Sequence, residues 1–245
     1  MKRFIKILVI IALTHAGLYA QTATVTADSI FNKYYQATGG KTLWDGVQTY
    51  SIKQAYRAGT ANDYDLTLQG SLPMQALSKT RTIMKRDFIY GIKGTEGWVK
   101  IPIGSRDKVT QFQTSDLGDK ERENMRRELV DFLAPFVNYS QKGYIATVVG
   151  TEPLNGKPAY HVEMEGKGVK YNLYFDVETG LLAREKLTLP TKEIQTRDHS
   201  QYAKSTYGIS YPSESTYVSS IDKKIIKVTT SVEFNSTIAD NTFAR

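Results

Sequence analysis

The sequence predicts a mainly β protein with a few helices (α+β), built as one strongly curved antiparallel sheet. With one or two helices beside it, that sheet is expected to be either a half-open barrel or a barrel wrapped around helices. Three observations lead there. Apolar and polar residues alternate over many short segments, as in strands with one buried and one wet face. Turn-forming clusters, "AGTAND", "KGTEG", "PLNGKP", "EGKG" and "DVETG", separate these segments at short intervals, as hairpin connections do. Two segments, one near the start and one in mid-chain, break the period of two and take up a helical one.

In chain order, "MKRFIKILVIIALTHAGLYA" comes first, with a basic start (Lys2, Arg3, Lys6) and an apolar run from Ile7 to Leu13. This reads as a secretory signal peptide over residues 1–20, cleaved near Ala20, leaving residues 21–245 as a single exported, periplasmic domain. Its apolar run is too short for a membrane span, and no later segment approaches the roughly 20 apolar residues a span needs. Losing the signal lowers the formal charge from +7 to +4, with 29 Lys and Arg against 25 Asp and Glu. That mild excess, with no basic run interleaved with aromatics, argues against a nucleic-acid partner. The chain has no Cys, so about 225 residues must hold together through a hydrophobic core alone. A monomer is expected.

"ADSIFNKYYQATGGKTLW" places Ile30, Phe31, Tyr34 and Thr38 at helical spacing. A helix is expected from about Asp28 to Thr38, capped by Thr26 or Asp28 and stopped by Gly39 and Gly40. "GGKT" is no phosphate loop, because Tyr35 stands where that motif needs its first Gly. Strand alternation then runs through Tyr64, Leu66 and Leu68, through Phe88, Tyr90 and Ile92, and later through Tyr160, Val162 and Met164. It ends with Ile226, Val228, Thr230, Val232 and Phe234. Between these groups, "DLGDKERENMRRELVDFLAPFVNY" puts Met125, Leu129, Phe132, Leu133 and Phe136 on one helical face. Lys120, Arg122, Glu123, Arg126, Arg127 and Asp131 fall on the opposite, solvated face of this 119–134 helix, and Pro135 ends or bends it. The apolar stripe is either ordinary packing on the sheet or a lid over an apolar cavity.

The chemical inventory is thin. Beyond the signal only His161 and His199 remain; His161 lies on the polar face of its strand and is expected to be solvated. No "G-x-S-x-G" or "H-E-x-x-H" occurs. "DVETG" supplies Asp176 and Glu178, but Gly180 stands where an EF-hand needs its third ligand. As a glycosidase dyad the same pair would sit on an exposed turn, without the desolvation that raises a proton donor's pKa. The stretch reads as a hairpin turn in which Asp176 bonds its own backbone and Gly180 takes positive φ. No catalytic residue, no metal ligand and no cofactor is assigned.

Several stretches together resemble a known family. "ADSIFNKYYQATGG", "GTEGWVKIP", "YNLYFDVETGLLAREK", "YGISYPSE" and "VEFNSTIADNTF" are similar to the outer-membrane lipoprotein-sorting family of periplasmic carriers, in its Bacteroidetes-type branch, from about Ala27 to Phe243. The resemblance implies a half-barrel with helices closing its concave face around an apolar cavity for lipoprotein acyl chains, with no catalysis and no cofactor. It also implies inner- or outer-membrane exchange partners, although no motif for a releasing transporter or a receptor is found. The family's strand-borne Arg has no assigned counterpart in this sequence.

The residues support that picture independently, because a one-sided curved sheet can present an apolar concave surface. The cavity candidates are Leu66, Leu68, Phe88, Tyr90, Tyr160, Val162, Leu173, Phe175, Val228, Val232 and Phe234, with Met125, Leu129 and Phe132 from the lid helix. The expected function is a non-enzymatic periplasmic carrier of a lipidic ligand. Two rival expectations remain. One is an envelope sensor or adaptor that binds a protein partner through the charged helix face. The other is a hydrolase of an envelope polymer using Asp176, Glu178, Asp198 or His199.

Overall fold

The computed structural model describes residues 25–59, 63–104 and 110–245; the expected signal segment 1–20 lies outside them. Alternating strands pair into one 13-stranded sheet in which every neighbouring pair is antiparallel. The first meander comprises β1 (Thr49–Arg57), β2 (Tyr64–Ser71), β3 (Ala76–Ile83), β4 (Arg86–Lys93), β5 (Glu96–Ile103) and β6 (Gln111–Asp116). The second comprises β7 (Ile145–Leu154), β8 (Lys157–Gly166), β9 (Val169–Asp176), β10 (Leu182–Thr188), β11 (Ile194–Lys204), β12 (Ser210–Ser219) and β13 (Ile226–Phe234). The two meanders join where β1 pairs with β13, which leaves β6 and β7 as free edges of an open, curved sheet. The connection from β6 to β7 must travel from one edge to the other. It does so across the concave face and carries the mid-chain helix with it.

Turn chemistry sets several registers. Asn155 and Gly156 join β7 to β8 with φ of 51° and 80°, the two positive values that a two-residue hairpin turn requires. Met84 and Lys85 join β3 to β4 with φ of 50° and 62°, and nothing in those side chains announces such a turn. Gly70 lies opposite Tyr50 across β1 and β2. A side-chain carbon there would collide with the Tyr50 ring, so glycine is what lets that buried ring lie flat on its neighbour.

The first helix, α1 (Ala27–Ala37), is capped by Thr26, whose hydroxyl accepts from the Ser29 N–H at 3.2 Å. Ser29 returns the bond, its hydroxyl oxygen accepting from the Thr26 N–H at 3.0 Å, so two orphan donors are satisfied reciprocally. The helix buries Ile30, Phe31, Tyr34 and Tyr35. Phe31 stacks on Phe136 at 4.9 Å and meets Phe175 of β9 at 5.7 Å. Thr38, wholly buried, donates to the Tyr34 carbonyl and accepts from the Trp44 indole at 2.9 Å, tying in the short α2 (Lys41–Asp45). Among the described residues no helix is long and apolar enough to cross a membrane.

The mid-chain helix, α3, spans Asp119–Asp131 rather than 119–134. Residues 132–143 continue as successive turns and bury Ala134 and Phe136. Met125 and Leu129 face inward as expected, but so do Arg127 and Asp131, which are only 6% and 4% exposed. Their assignment to a solvated face is therefore corrected. Tyrosines on β9 and in the loop before β7 reach up to them from below, and these polar partners make burial of the two charges tolerable.

Candidate functional site

α1 and the 132–144 segment fill one part of the concave face with aromatic core. The rest is not filled. Beneath α3 lies a cavity of about 400 Å³, within the range of roughly 300–1,000 Å³ usual for small-molecule sites. Its floor comes from β1 (Ile52, Gln54, Tyr56), β2 (Tyr64, Leu66, Leu68) and β3 (Lys79, Arg81). The opposite wall comes from β10 (Glu185, Leu187), β11 (Gln195, Arg197, His199) and Tyr217 of β12. Arg127, Asp131, Phe132 and Leu133 form its roof. On the outer side of α3 runs a second and larger depression of about 1,210 Å³, and Arg127, Phe132 and Leu189 border both. The C-terminal end of α3 is therefore the partition between them.

The expected cavity residues distribute unevenly. Leu66, Leu68 and Phe132 line the cavity beneath α3, while Leu129 joins Phe132 at the second depression. Met125, Val162, Leu173 and Phe175 are buried in the core, as are Val228, Val232 and Phe234. Tyr90 and Tyr160 pack partly buried against that core, and Phe88 is half-buried on β4. The lining that the hydrophobic pattern did not reveal is polar. Alternation marks which residues point inward from an apolar strand, and the stretch of β11 that turns Gln195, Arg197 and His199 inward carries no apolar residue at those positions.

The roof is anchored by one buried carboxylate. Asp131 accepts from the Tyr144 hydroxyl at 2.6 Å, the Tyr171 hydroxyl at 2.9 Å and Lys142 Nζ at 3.2 Å. Arg127 lies 3.9 Å from the same carboxylate and donates to Tyr171 at 3.1 Å. Burial pulls the Lys142 ammonium down to about 8, against the opposing pull of Asp131. Tyr50 adds a neutral link, donating to the Leu129 carbonyl at 2.9 Å while Phe132 stacks on its ring at 4.6 Å.

Two further titratable groups face the cavity. Burial raises the Glu185 carboxyl to about 7, with Arg197 opposing and Asp131 reinforcing. Burial holds the His199 imidazole at about 3, with Arg197 adding to the effect, and neither ring nitrogen has a hydrogen-bond partner among the described residues. The folded state therefore holds an extra proton on Glu185 between about pH 4.5 and 7, so stability from this group falls as pH rises through that window. His199 does the opposite: the unfolded chain takes up its proton below about 6.5, and stability falls as pH drops toward about 3. Each slope is at most about 1.4 kcal/mol per pH unit, and they oppose each other where the windows overlap. Chemical denaturation across pH is thus expected to be nearly flat between about pH 4.5 and 6.5. Glu185→Gln should convert this plateau into a rise with pH, and His199→Asn into a fall. Plateaus unchanged in both variants would refute the assignment.

The groups proposed for hydrolysis are scattered. Asp176 Oδ1 accepts from the Thr179 N–H at 2.7 Å, the Thr179 hydroxyl at 2.9 Å and the Glu178 N–H at 3.0 Å, and Gly180 has φ of 74°. This is the expected turn. Burial works against the Asp176 carboxylate, but those Thr179 and Glu178 donors outweigh it and hold its pKa below the usual range. Asp198 pairs with Arg184 and, adjacent in β11 to inward-facing His199, points to the other side of the sheet. The pair makes no dyad. His161, expected to be solvated, is 7% exposed, stacked on Tyr174 at 4.4 Å and bonded to Glu152 and Asn172 at 2.8 and 2.9 Å. Its strand face is covered by neighbouring side chains rather than water. Among the described residues no three His, Cys, Asp or Glu side chains gather as a metal site.

No protein-family profile matches the sequence, and no curated protein matches it either. Solved structures do match. A LolA superfamily protein of Nitrosomonas europaea aligns over 90% of this chain and 98% of its own, with a TM-score of 0.54 and 13% identity. A DUF1329 family protein of Desulfovibrio piger aligns over 88% and 96%, with a TM-score of 0.53 and 11% identity. A Vibrio parahaemolyticus domain described as an outer membrane lipoprotein-sorting protein aligns over 88% and 94%, at 0.51 and 11%. At such identities the likeness is one of fold: this chain has the open, curved antiparallel sheet with helices on its concave face that is found in LolA superfamily and lipoprotein-sorting proteins.

Proposed function

We propose that the protein is a non-enzymatic periplasmic carrier or binding protein for a lipidic ligand, with lipoprotein acyl chains bound for the outer membrane as its cargo class. The observation that carries this reading is the cavity between sheet and α3, with Leu66, Leu68, Phe132 and Leu133 along its lining. Burying an acyl chain there is worth roughly 0.8 kcal/mol per CH₂. The fold shared with lipoprotein-sorting proteins supports the same reading. In this proposal residues 21–245 act as one monomeric domain exported by the 1–20 segment, and the Bacteroidetes-type branch rests on the sequence resemblance. Leu66, Leu68 and Phe132 are proposed as ligand contacts. Native mass spectrometry of the protein purified from its periplasm is expected to find a bound, extractable acyl species. Protein that carries none, and takes up none when offered, would sink the proposal.

A second reading, an adaptor for a protein partner, draws on the open depression on the outer face of α3, where Lys120, Glu123 and Arg126 stand beside Leu129 and Val137. Pull-down from envelope extract, compared with a variant carrying reversed charges at those three positions, would support it by a partner lost only in the variant.

A further inference from the structure

The cavity holds more positive charge than its own carboxylates neutralise. Four cationic side chains line it, Lys79, Arg81, Arg127 and Arg197, against Glu128, Asp131 and Glu185. Lys79 is paired with Glu128 at 2.7 Å and Arg127 with Asp131 at 3.9 Å. The two guanidiniums left over sit at one end. Arg81 lies over the Tyr64 ring at 4.0 Å and donates no hydrogen bond to another described residue. Arg197 lies over Tyr56 and Tyr217 at 5.6 and 5.4 Å and donates a single hydrogen bond, to the Tyr56 hydroxyl. Tyr56 and Tyr64 stack on each other at 4.4 Å, so the two arginines flank one aromatic wall. Glu185 stands opposite Arg197 in the strand register but forms no ion pair with it.

The other end differs in kind. Two-residue steps along β2 lead from Tyr64 to Leu66 to Leu68, and along β1 from Tyr56 to Gln54 to Ile52. Phe132, stacked on Tyr50, places the apolar roof over that far end. The cavity thus grades from two guanidiniums on aromatic rings to aliphatic side chains, where the only charges beside Leu68 are the mutually paired Lys79 and Glu128 and the roof pair Arg127 and Asp131. An arginine fork whose donors lack acceptors matches a carboxylate or phosphate, and half-buried Arg197 is screened less by solvent than exposed Arg81. With roughly 30 Å³ per small group, the volume a water takes in the liquid, 400 Å³ admits one chain of about a dozen heavy atoms.

We infer that the cavity selects a single-chain amphiphile with an anionic headgroup, a free carboxylate or a phosphate, seated between Arg81 and Arg197 with its tail along Leu66, Leu68 and Ile52 toward Phe132. This rests on the lipid-binding reading but departs from its lipoprotein cargo class, whose acyl chains are ester- or amide-linked: the ligand inferred is a free acidic chain. Glu185 competes with the headgroup for Arg197.

The test is calorimetric titration of the full exported chain, below micellar concentrations, with four ligands sharing one tail length: laurate, dodecyl phosphate, methyl laurate and dodecyltrimethylammonium. Acetate and inorganic phosphate serve as headgroups without tails. Laurate and dodecyl phosphate are expected to bind at least tenfold more tightly than the ester and the cation, and the tailless ions at least a hundredfold more weakly than their amphiphiles. Arg81→Gln, at an exposed position on the mouth, and Arg197→Gln should each reduce the ratio of laurate to methyl laurate affinity severalfold. Glu185→Gln should strengthen laurate. Equal binding of ester and laurate, or an Arg81→Gln variant with its full preference, overturns the headgroup assignment alone. Acetate or phosphate binding as tightly as the chains overturns the amphiphile. Failure of all four amphiphiles to bind overturns the lipid-binding reading itself.

Discussion

Asp131→Asn is expected to cost the fold about 3–5 kcal/mol, the range for breaking a buried charge cluster by removing one partner. The carboxylate is 4% exposed and serves four groups at once: Tyr144, Tyr171, Lys142 and Arg127. An amide offers one acceptor oxygen and two unwanted donors, so Arg127 would stay charged without the carboxylate beside it and Lys142 would be driven to give up its proton. The Lys142 ammonium, already pulled down to about 8 by burial, would lose the partner that opposes that fall. Urea denaturation at pH 7 is the measurement. Glu128→Gln is the comparison, because its pair with Lys79 is about one-third exposed on both sides and such pairs are worth under about 1 kcal/mol. Equal losses for the two variants would show that the Asp131 cluster is no anchor.

Phe136→Ala is expected to lose a similar amount, about 3–5 kcal/mol, for a different reason. Phe136 is wholly buried at the meeting point of α1, the post-helix segment and β9. Its ring contacts Phe31 and Tyr34 at 4.9 Å and Phe175 at 5.2 Å. Truncation leaves a void among rings whose positions are fixed by one another, so little collapse can recover the lost contacts. Phe136 borders neither depression. The melting temperature should therefore drop while ligand affinity per folded molecule is unchanged. A variant that melts like the parent would mean that this aromatic cluster does not hold α1 to the sheet.

Much of this architecture was legible beforehand, and particular residues show why. On β13, Val228, Thr230, Val232 and Phe234 are buried and the residues between them are exposed, so the period of two reports the face directly. Thr26 announces α1 because an orphan N–H needs a nearby oxygen. Asp176 to Gly180 announces its turn through short-range bonds. In each case the physics acts within a few residues.

Where it acts across the sheet, the pattern failed. Arg127 and Asp131 look like surface charges until Tyr144 and Tyr171, many residues away, come to lie beneath them. His161 looks wet until Glu152 and Asn172 flank it from adjacent strands. Arg197, Glu185 and His199 alternate with other polar residues, so no contrast marks which of them faces inward.

By itself the sequence determined several of the strands, both longer helices, the turns rich in Gly and Asp, and that one face of those strands is apolar, because backbone preference and side-chain period are local properties. Only the tertiary structure decided which of those inward residues meet one another and which leave a gap. Curvature, edge-to-edge crossing of α3 and the packing of Phe31 on Phe136 set how much of the concave face is filled. Two unpaired guanidiniums at one end of what remains empty are a consequence of that geometry, since pairing depends on distances between strands that no spacing along the chain encodes.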